Sequence, residues 1–176
     1  MKKLLLHVCC APCSTHVIET LKQDYDITMF FYNPNIEPMA EYGERLKTAE
    51  DFAQKLNLPL VVGDYDNIEW HSAVKGYEKD KEGGERCSIC FKFRLEKTAQ
   101  LARDNKFDLF TTTLTVSPYK NAEIINRIGK ELENKYGVRL LESDFKSKGG
   151  YMHSIELSKK HNLYRQHYCG CLYSKR

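Results

Sequence analysis

The 176-residue chain has no long uninterrupted apolar segment. A membrane-spanning helix needs roughly 18 or more apolar residues with few charges, and no stretch of the sequence approaches that length. Near the amino terminus, the apolar residues 4–6 follow two lysines and soon reach Cys9, so this run is too short for the core of a secretory signal peptide. We therefore expect a soluble, cytoplasmic protein without membrane association.

The sequence also has no internal repeat and no low-complexity segment. Its length suffices for one domain with its own hydrophobic core and is short for two. We therefore expect a single domain over residues 1–176, with a compositionally distinct C-terminal segment at residues 146–176.

A large net charge is lacking as well, but the formal charge of +3 is unevenly distributed. Residues 146–176 hold seven lysines and arginines against Glu156 alone, which gives this segment +6 and leaves −3 for the rest. Four tyrosines and three histidines lie between the basic residues. Such a segment can hold phosphates with its cations and stack on bases with its rings. A solvated charged surface explains the same composition equally well.

Cysteine is well represented, in three tight groups that lie far apart in the chain: Cys9, Cys10, Cys13, Cys87, Cys90, Cys169 and Cys171. The odd number and the close spacing within each group argue against a disulfide framework. Close pairs of thiolates suit zinc and iron–sulfur clusters alike. Without Cys13, which is as well explained by packing, six thiolates still exceed the four that one zinc ion or one four-iron cluster uses. Some are therefore spare, or a second metal is present.

Strand-like and helix-like patterns alternate five times along the chain. Because parallel strands require crossover helices, this alternation predicts an α/β fold with a mostly parallel five-stranded sheet covered by helices on both faces. The predicted strands are residues 4–10, 27–32, 60–62, 107–116 and 138–141. The next-to-last helix has its buried face at residues 124–132 and ends near Gly137, and the final helix lies near residues 155–161. A further helix, predicted at residues 87–105, begins at Cys87 and Cys90, where its dipole favours a thiolate.

Several chemically capable residues lie at or just after the carboxyl ends of predicted strands: Cys9, Cys10, Asn33, Asp64 and Ser117. Ligands in such folds gather at the carboxyl ends of the strands, so this shared position predicts one active site.

Some polar side chains allow both a functional and a plain structural interpretation. Asp64 and Asp66 are proton donors or hard ligands in one interpretation and ordinary turn residues in the other. Lys120, in the segment after Ser117, is available to a phosphate. His7 lies inside the first apolar run, where a hydrogen-bonded core histidine is favoured over a metal ligand.

Taken together, five motifs resemble the QueH-type epoxyqueuosine reductases, and the resemblance spans residues 4–173 in order. They are His7-x-Cys9-Cys10-Ala-Pro-Cys13-Ser14, Asn33 with Tyr42-x-x-Arg45, Cys87-x-x-Cys90, Ser117-Pro118-Tyr119-Lys120-Asn121 and Tyr164-Arg165-Gln166-x-Tyr168-Cys169-Gly170-Cys171. The resemblance implies a Rossmann-like fold of the type shared with adenine-nucleotide-binding domains. It also implies reduction of the epoxide of epoxyqueuosine in tRNA to the alkene of queuosine, with a 4Fe-4S cluster and without cobalamin.

Within this resemblance we predict a set of site residues. Cys10, Cys87, Cys90 and Cys169 are expected to bind the cluster, and Cys9 and Cys171 to bind an additional iron. Asp64, Asp66 or Tyr168 is expected to deliver protons. The substrate-binding candidates are Asn33, Ser117, Tyr119, Lys120 and Arg165, with residues 146–176 as the grip on tRNA. The chemistry consumes electrons one at a time from a cluster, so ferredoxin or flavodoxin is the expected donor.

Two alternatives remain open from the sequence. One is a zinc-stabilised tRNA-binding module in which the cysteines are structural. The other is an ATP-dependent tRNA-thiolating enzyme on a similar sheet. Against the second, Cys-Cys-Ala-Pro-Cys-Ser stands where a glycine-rich phosphate loop would follow the first strand.

Overall fold

A computed structural model, which describes residues 1–175, contains one sheet of five parallel strands. The strands are β1 (Lys2–Val8), β2 (Tyr25–Phe31), β3 (Leu60–Val62), β4 (Leu109–Thr112) and β5 (Arg139–Leu140). Their order across the sheet is β3-β2-β1-β4-β5, which places β1 at the centre. The predicted parallel sheet is confirmed. Arg176, the last residue of the predicted basic segment, lies outside the described residues.

Six α-helices connect or follow the strands: α1 (Ala11–Leu21), α2 (Met39–Lys55), α3 (Asn67–Val74), α4 (Glu85–Asp104), α5 (Ala122–Tyr136) and α6 (Gly150–Lys160). Short 3-10 turns occur at Thr113–Val116, Ser147–Gly149 and Leu172–Ser174. None of the helices within residues 1–175 has the length and apolarity needed to cross a membrane.

The alternation of side chains along β1 builds a core on each face of the sheet. Leu5 packs with the apolar faces of α4 and α5, whereas Leu4 and Leu6 pack with α1 and α2. All three leucines are fully buried. A strand buried on both faces reads as a continuous apolar run, which is why this segment is so apolar in sequence.

The fourth strand is shorter than predicted. Residues 107–116 are rich in β-branched residues, but the strand ends at Thr112, whose hydroxyl oxygen accepts a hydrogen bond from the Leu114 N–H at 3.1 Å. This bond caps a 3-10 turn in place of further strand. The turn brings the Thr113 hydroxyl to the Cys9 backbone N–H, 3.1 Å away, so the departure from the predicted strand contributes directly to the site.

Candidate metal and substrate site

Three cysteines gather where β1 passes into α1. Cys10 is the N-cap of α1, and its sulfur accepts a hydrogen bond from the Cys13 backbone N–H at 3.4 Å. The sulfurs of Cys9, Cys10 and Cys13 all lie within 4.8 Å of one another. Their closeness makes this group a candidate ligand set for one metal ion.

The pKa values of the three thiols are shifted in different directions, so that one of them is favoured to carry a negative charge. Hydrogen bonds from the Cys10 and Cys13 thiols hold the pKa of Cys9 well below its usual range. Although a hydrogen bond from Cys13 acts to lower it, the neighbouring Cys9 and burial raise the pKa of Cys10 to about 12. Hydrogen bonding to Cys10 and Cys9, with burial, also raises the pKa of Cys13. Of the three, Cys9 is therefore the thiol that loses its proton most readily, and a metal ion bound by all three would also have to displace the protons of the other two.

A second group of cysteines surrounds a small enclosed cavity of about 20 Å³. Cys87 and Cys90 reach it from the first two turns of α4, and Cys169 and Cys171 reach it from the C-terminal segment. Burial raises the pKa of both Cys87 and Cys90, which opposes the thiolate that the sequence predicted at the start of this helix.

Buried hydrogen-bond donors without partners border this small cavity. Within residues 1–175, the Nε and Nη2 atoms of Arg86 and Arg94 and the side-chain amide of Asn35 are buried and make no hydrogen bond. Leaving such donors unpaired in an apolar interior is costly. The cavity wall is therefore suited to an anionic group that accepts hydrogen bonds.

A larger cavity of about 190 Å³ adjoins the small one. Cys169, Arg94 and Lys120 line both cavities. The larger cavity also meets Cys9 and Cys13, and its remaining wall is mostly polar, basic and aromatic. A molecule in the larger cavity would thus lie beside both groups of cysteines.

Besides Cys9 and Cys169, five of the residues predicted for proton delivery or substrate binding line the larger cavity together: Ser117, Tyr119, Lys120, Arg165 and Tyr168. Asn33 lies behind the wall, where its amide donates to the Val8 carbonyl at 2.9 Å and its oxygen lies 3.4 Å from Arg94 Nη1. The Tyr168 hydroxyl donates to the Glu37 carbonyl.

The structure places the two predicted aspartates apart from this group. Among residues 1–175, neither Asp64 nor Asp66 is a lining residue of the two cavities. Asp66 accepts a hydrogen bond from the Tyr32 hydroxyl at 2.7 Å and lies 3.9 Å from Lys97 Nζ. The reason is the sheet order, because β3 is an edge strand separated from β1 by β2.

The structure also groups the cysteines differently from the predicted division. Cys10 lies with Cys9 and Cys13, whereas Cys171 lies with Cys87 and its neighbours. The assignment of ligands to the cluster and to an additional iron stays a prediction.

Sequence reasoning left the role of Cys13 open and missed Arg94, although each has a local signal. An N-cap side chain accepts from the backbone N–H at the N3 position, which draws Cys13 toward Cys10. Arg94 follows Cys90 by four residues on α4, so both side chains lie on one face of that helix. Gln166, whose Nε2 donates to Cys10 Sγ at 3.0 Å, carries no such signal because 156 residues separate the two.

His7 is confirmed as a core histidine. It is fully buried, and its two ring nitrogens hydrogen bond to Thr112 Oγ1 and the Tyr32 carbonyl, each at 2.9 Å. Burial and the Arg94 charge lower the pKa of His7 to about 4. Both nitrogens are thus occupied, which leaves none for a metal.

The fold resembles solved structures of proteins that act on tRNA. A predicted subunit of a tRNA methyltransferase from Methanocaldococcus jannaschii superposes with a TM-score of 0.62 at 13% identity, covering 95% of this chain and 94% of that one. The U34-tRNA thiolase NcsA from Methanococcus maripaludis, solved with its [4Fe-4S] cluster, gives a TM-score of 0.57 at 14% identity, covering 99% of this chain and 62% of that one. At such identities the likeness establishes the fold only.

Sequence comparison is more specific. The family model described as "Epoxyqueuosine reductase QueH" matches residues 4–176. The protein of that name from Thermotoga maritima is 42% identical over 99% of this chain and 91% of its own length. The one from Streptococcus pyogenes serotype M1 is 43% identical over 97% of this chain and 69% of its own length. Because the family model matches nearly the entire length of this chain, the chain belongs to the QueH family of epoxyqueuosine reductases.

Proposed function

We propose that the chain reduces epoxyqueuosine in tRNA to queuosine. Two electrons and two protons are consumed, both carbon–oxygen bonds of the epoxide break, an alkene forms, and the oxygen leaves as water. The observation that carries this proposal is the convergence, in a chain of this family, of three distant cysteine groups on two adjoining cavities.

For the 4Fe-4S cluster, the geometry favours Cys87, Cys90, Cys169 and Cys171 as ligands. These four thiols surround one enclosed cavity, and four thiolates are the usual complement of such a cluster. The unpaired donors of Arg86 and Arg94 fit a sulfide-rich, negatively charged occupant, because hydrogen bonds to its sulfurs would satisfy them. When bound, the cluster supplies electrons one at a time, which makes a ferredoxin or a flavodoxin the proposed donor.

For the additional iron, we propose the Cys9, Cys10 and Cys13 group. Three sulfurs within 4.8 Å of one another suit a single metal ion. The amide of Gln166, bonded to Cys10 Sγ, orients that ligand in the way that outer hydrogen bonds orient metal ligands generally.

The larger cavity is the proposed place for the modified base. A base in an anticodon loop must be splayed out of the loop to enter a pocket. Arg165 is exposed at the cavity and can meet a flanking phosphate, and the Tyr119 ring, 62% exposed, can stack on a base.

We propose that Lys120 stabilises negative charge that develops on the epoxide oxygen. It lines both cavities, between the two cysteine groups. Burial acts to lower its pKa, but the electrostatic influence of the neighbouring Cys169 and Cys9 outweighs burial and raises the pKa of Lys120, so the ammonium form is retained. A fixed cation beside a developing alkoxide lowers the barrier by electrostatic stabilisation.

A cellular experiment tests the proposed function. In a bacterium that makes epoxyqueuosine but lacks its own reductase for it, expression of the chain should restore queuosine to tRNA, measured by mass spectrometry of digested nucleosides. Persistence of epoxyqueuosine in cells that contain the folded, iron-loaded chain would contradict the proposal.

A further inference from the structure

The C-terminal segment that carries Cys169 and Cys171 is held mainly by side-chain contacts. Between Lys160 and Lys175 its regular structure is limited to the 3-10 turn Leu172–Ser174. Its cysteines nevertheless reach a cavity whose other two cysteines belong to α4. Contacts with another part of the fold must therefore set their position.

Arg45, a residue of α2, makes the central contact. Its guanidinium donates from Nη1 to the Cys169 carbonyl at 2.8 Å and from Nη2 to the Tyr168 carbonyl at 3.0 Å. It also lies 5.2 Å from the centre of the Tyr168 ring. The side chain is only 2% exposed, so these bonds form where water does not compete.

Glu41, one turn earlier on α2, fixes the direction of that guanidinium. One carboxylate oxygen accepts from Arg45 Nε at 2.7 Å, and the other accepts from the Tyr164 hydroxyl at 2.8 Å. Burial acts to raise the pKa of Glu41, but the bonds from Arg45 and Tyr164 outweigh it and lower the pKa. The carboxylate therefore stays charged and ties a second point of the C-terminal segment to α2.

Gly170 lets the segment come this close. Its φ of +134° is in a region that glycine adopts readily. A Cβ at this position would lie 2.9 Å from Ile36 Cγ1 and 3.1 Å from Arg45 Nη1. Its carbonyl accepts from the Glu37 backbone N–H at 2.9 Å.

We propose that Arg45 is a positioning residue that sets Cys169 and Cys171 in place by holding the backbone carbonyls of residues 168 and 169. In this role it acts through those two carbonyls, and its side chain also lines the larger cavity. A lysine cannot replace it, because a single ammonium lacks the planar fork that serves two carbonyls and a carboxylate at once. The inference rests on the proposed function only in taking these cysteines as ligands.

The test uses the reduced, metal-free, full-length chain in native buffer. Thiols are labelled with a short pulse of iodoacetamide and quantified by peptide mass spectrometry. The variants are Arg45→Lys, which keeps the charge, and Gly170→Ala, which places a Cβ against Arg45 Nη1 and so disturbs the same contact from the side of the C-terminal segment. The control is Lys47→Ala on α2, whose side chain is 71% exposed and forms an ion pair with Asp51.

We expect labelling of Cys169 and Cys171 to be at least tenfold faster in both variants than in the wild type, while the control is unchanged. Far-ultraviolet circular dichroism and an unfolding midpoint within a few degrees of wild type distinguish displacement of the segment from loss of the fold. Wild-type labelling rates in a folded Arg45→Lys chain overturn the proposal. If that chain does not fold, wild-type rates in Gly170→Ala overturn it. The labelling needs no reductase activity, so it stands even if the proposed function fails.

Discussion

At the scale of single residues, identity and position of each thiol decide what it can bind. The sequence offers seven sulfurs without saying which belong together, and the fold divides them into a group of three at the end of β1 and a group of four around the small cavity. Cys169 is the member that meets both cavities. The division makes the cysteines distinguishable by substitution.

We expect Cys171→Ser to lose the visible absorption of an anaerobically reconstituted cluster, because a thiolate around the small cavity is removed. Cys13→Ser should keep that absorption and lose only the iron in excess of four per chain, measured by iron and sulfide analysis. If Cys10→Ser abolishes the cluster while Cys171→Ser retains it, the division first predicted from the sequence is correct and the one proposed here is wrong.

The metal content of the wild-type chain is a separate test. Four irons per chain and no more would contradict the proposed additional iron. Stoichiometric zinc in a colourless chain would favour the alternative of a zinc-stabilised module with structural cysteines.

Single substitutions also distinguish the candidate proton donor Asp64 from the candidate charge-stabilising residue Lys120. We expect Asp64→Asn to lower the turnover rate by less than tenfold with metal content intact, because that carboxylate lines neither cavity in the described chain. Lys120→Met should lose on the order of a hundredfold, as expected when one charge-stabilising group is removed. A larger loss in Asp64→Asn than in Lys120→Met, measured as single turnovers, would restore the aspartate as the proton donor.

At the scale of elements, the distance between a helix and the strand beneath it decides whether a helical glycine can carry a larger side chain. α5 passes over β5 at Gly129, where an added Cβ would lie 2.7 Å from Leu140 Cδ2. Gly43 in α2, by contrast, has no heavy atom within 4 Å of the place where a Cβ would lie. The two helical glycines thus differ in the space available to an added side chain.

We expect Gly43→Ala to stabilise the chain by about 0.5–1 kcal/mol, since alanine loses less backbone entropy in a helix. Gly129→Ala has the same entropic gain but must displace Leu140, and overpacking of this kind costs about 1–3 kcal/mol. The net result should be destabilisation by about 1 kcal/mol in urea unfolding. Equal stabilisation by both substitutions would show that Leu140 moves aside without cost.

Element formation shows what the sequence can and cannot predict. The β1 and β2 strands and the α5 helix follow from apolar periodicity, because burial of those side chains is itself the cause of the pattern. The short helix α3 and the position of β3 at the edge do not, since both depend on contacts between distant segments. For the same reason the sequence could not show that Asp64 lines neither cavity in the described chain. The contact of the Cys169 carbonyl with Arg45, 124 residues earlier, was likewise beyond reach of local patterns.

At the scale of the whole molecule, the helix α6 both lines the larger cavity and carries exposed basic residues. Tyr151, Ser154 and Ser158 of α6 line that cavity, while Lys159 and Lys160 in its last turn are exposed. A tRNA whose base enters the cavity would therefore bring its backbone close to these two lysines. The predicted grip of the C-terminal segment on tRNA stays a prediction, and the arrangement supports it.

We expect the double charge reversal Lys159→Glu and Lys160→Glu to weaken tRNA binding and to reduce the slope of log affinity against log salt by about 1–2, because each lost phosphate contact removes roughly 0.7–0.9 from that slope. The matched control is Lys2→Glu with Lys3→Glu at the amino end of β1, away from the strand ends that bear the site. An unchanged affinity and slope in the α6 variant would contradict the assignment.

The most direct test of the central claim is a turnover measurement with purified components. The iron-loaded chain is incubated anaerobically with epoxyqueuosine-containing tRNA and a chemical reductant, and the digested nucleosides are analysed by mass spectrometry. We expect conversion to a nucleoside lighter by one oxygen atom. Each chain should form several molecules of product, and no product should form when the reductant is omitted. Tight binding of the tRNA with the epoxide left intact by a fully iron-loaded, reduced chain would contradict it.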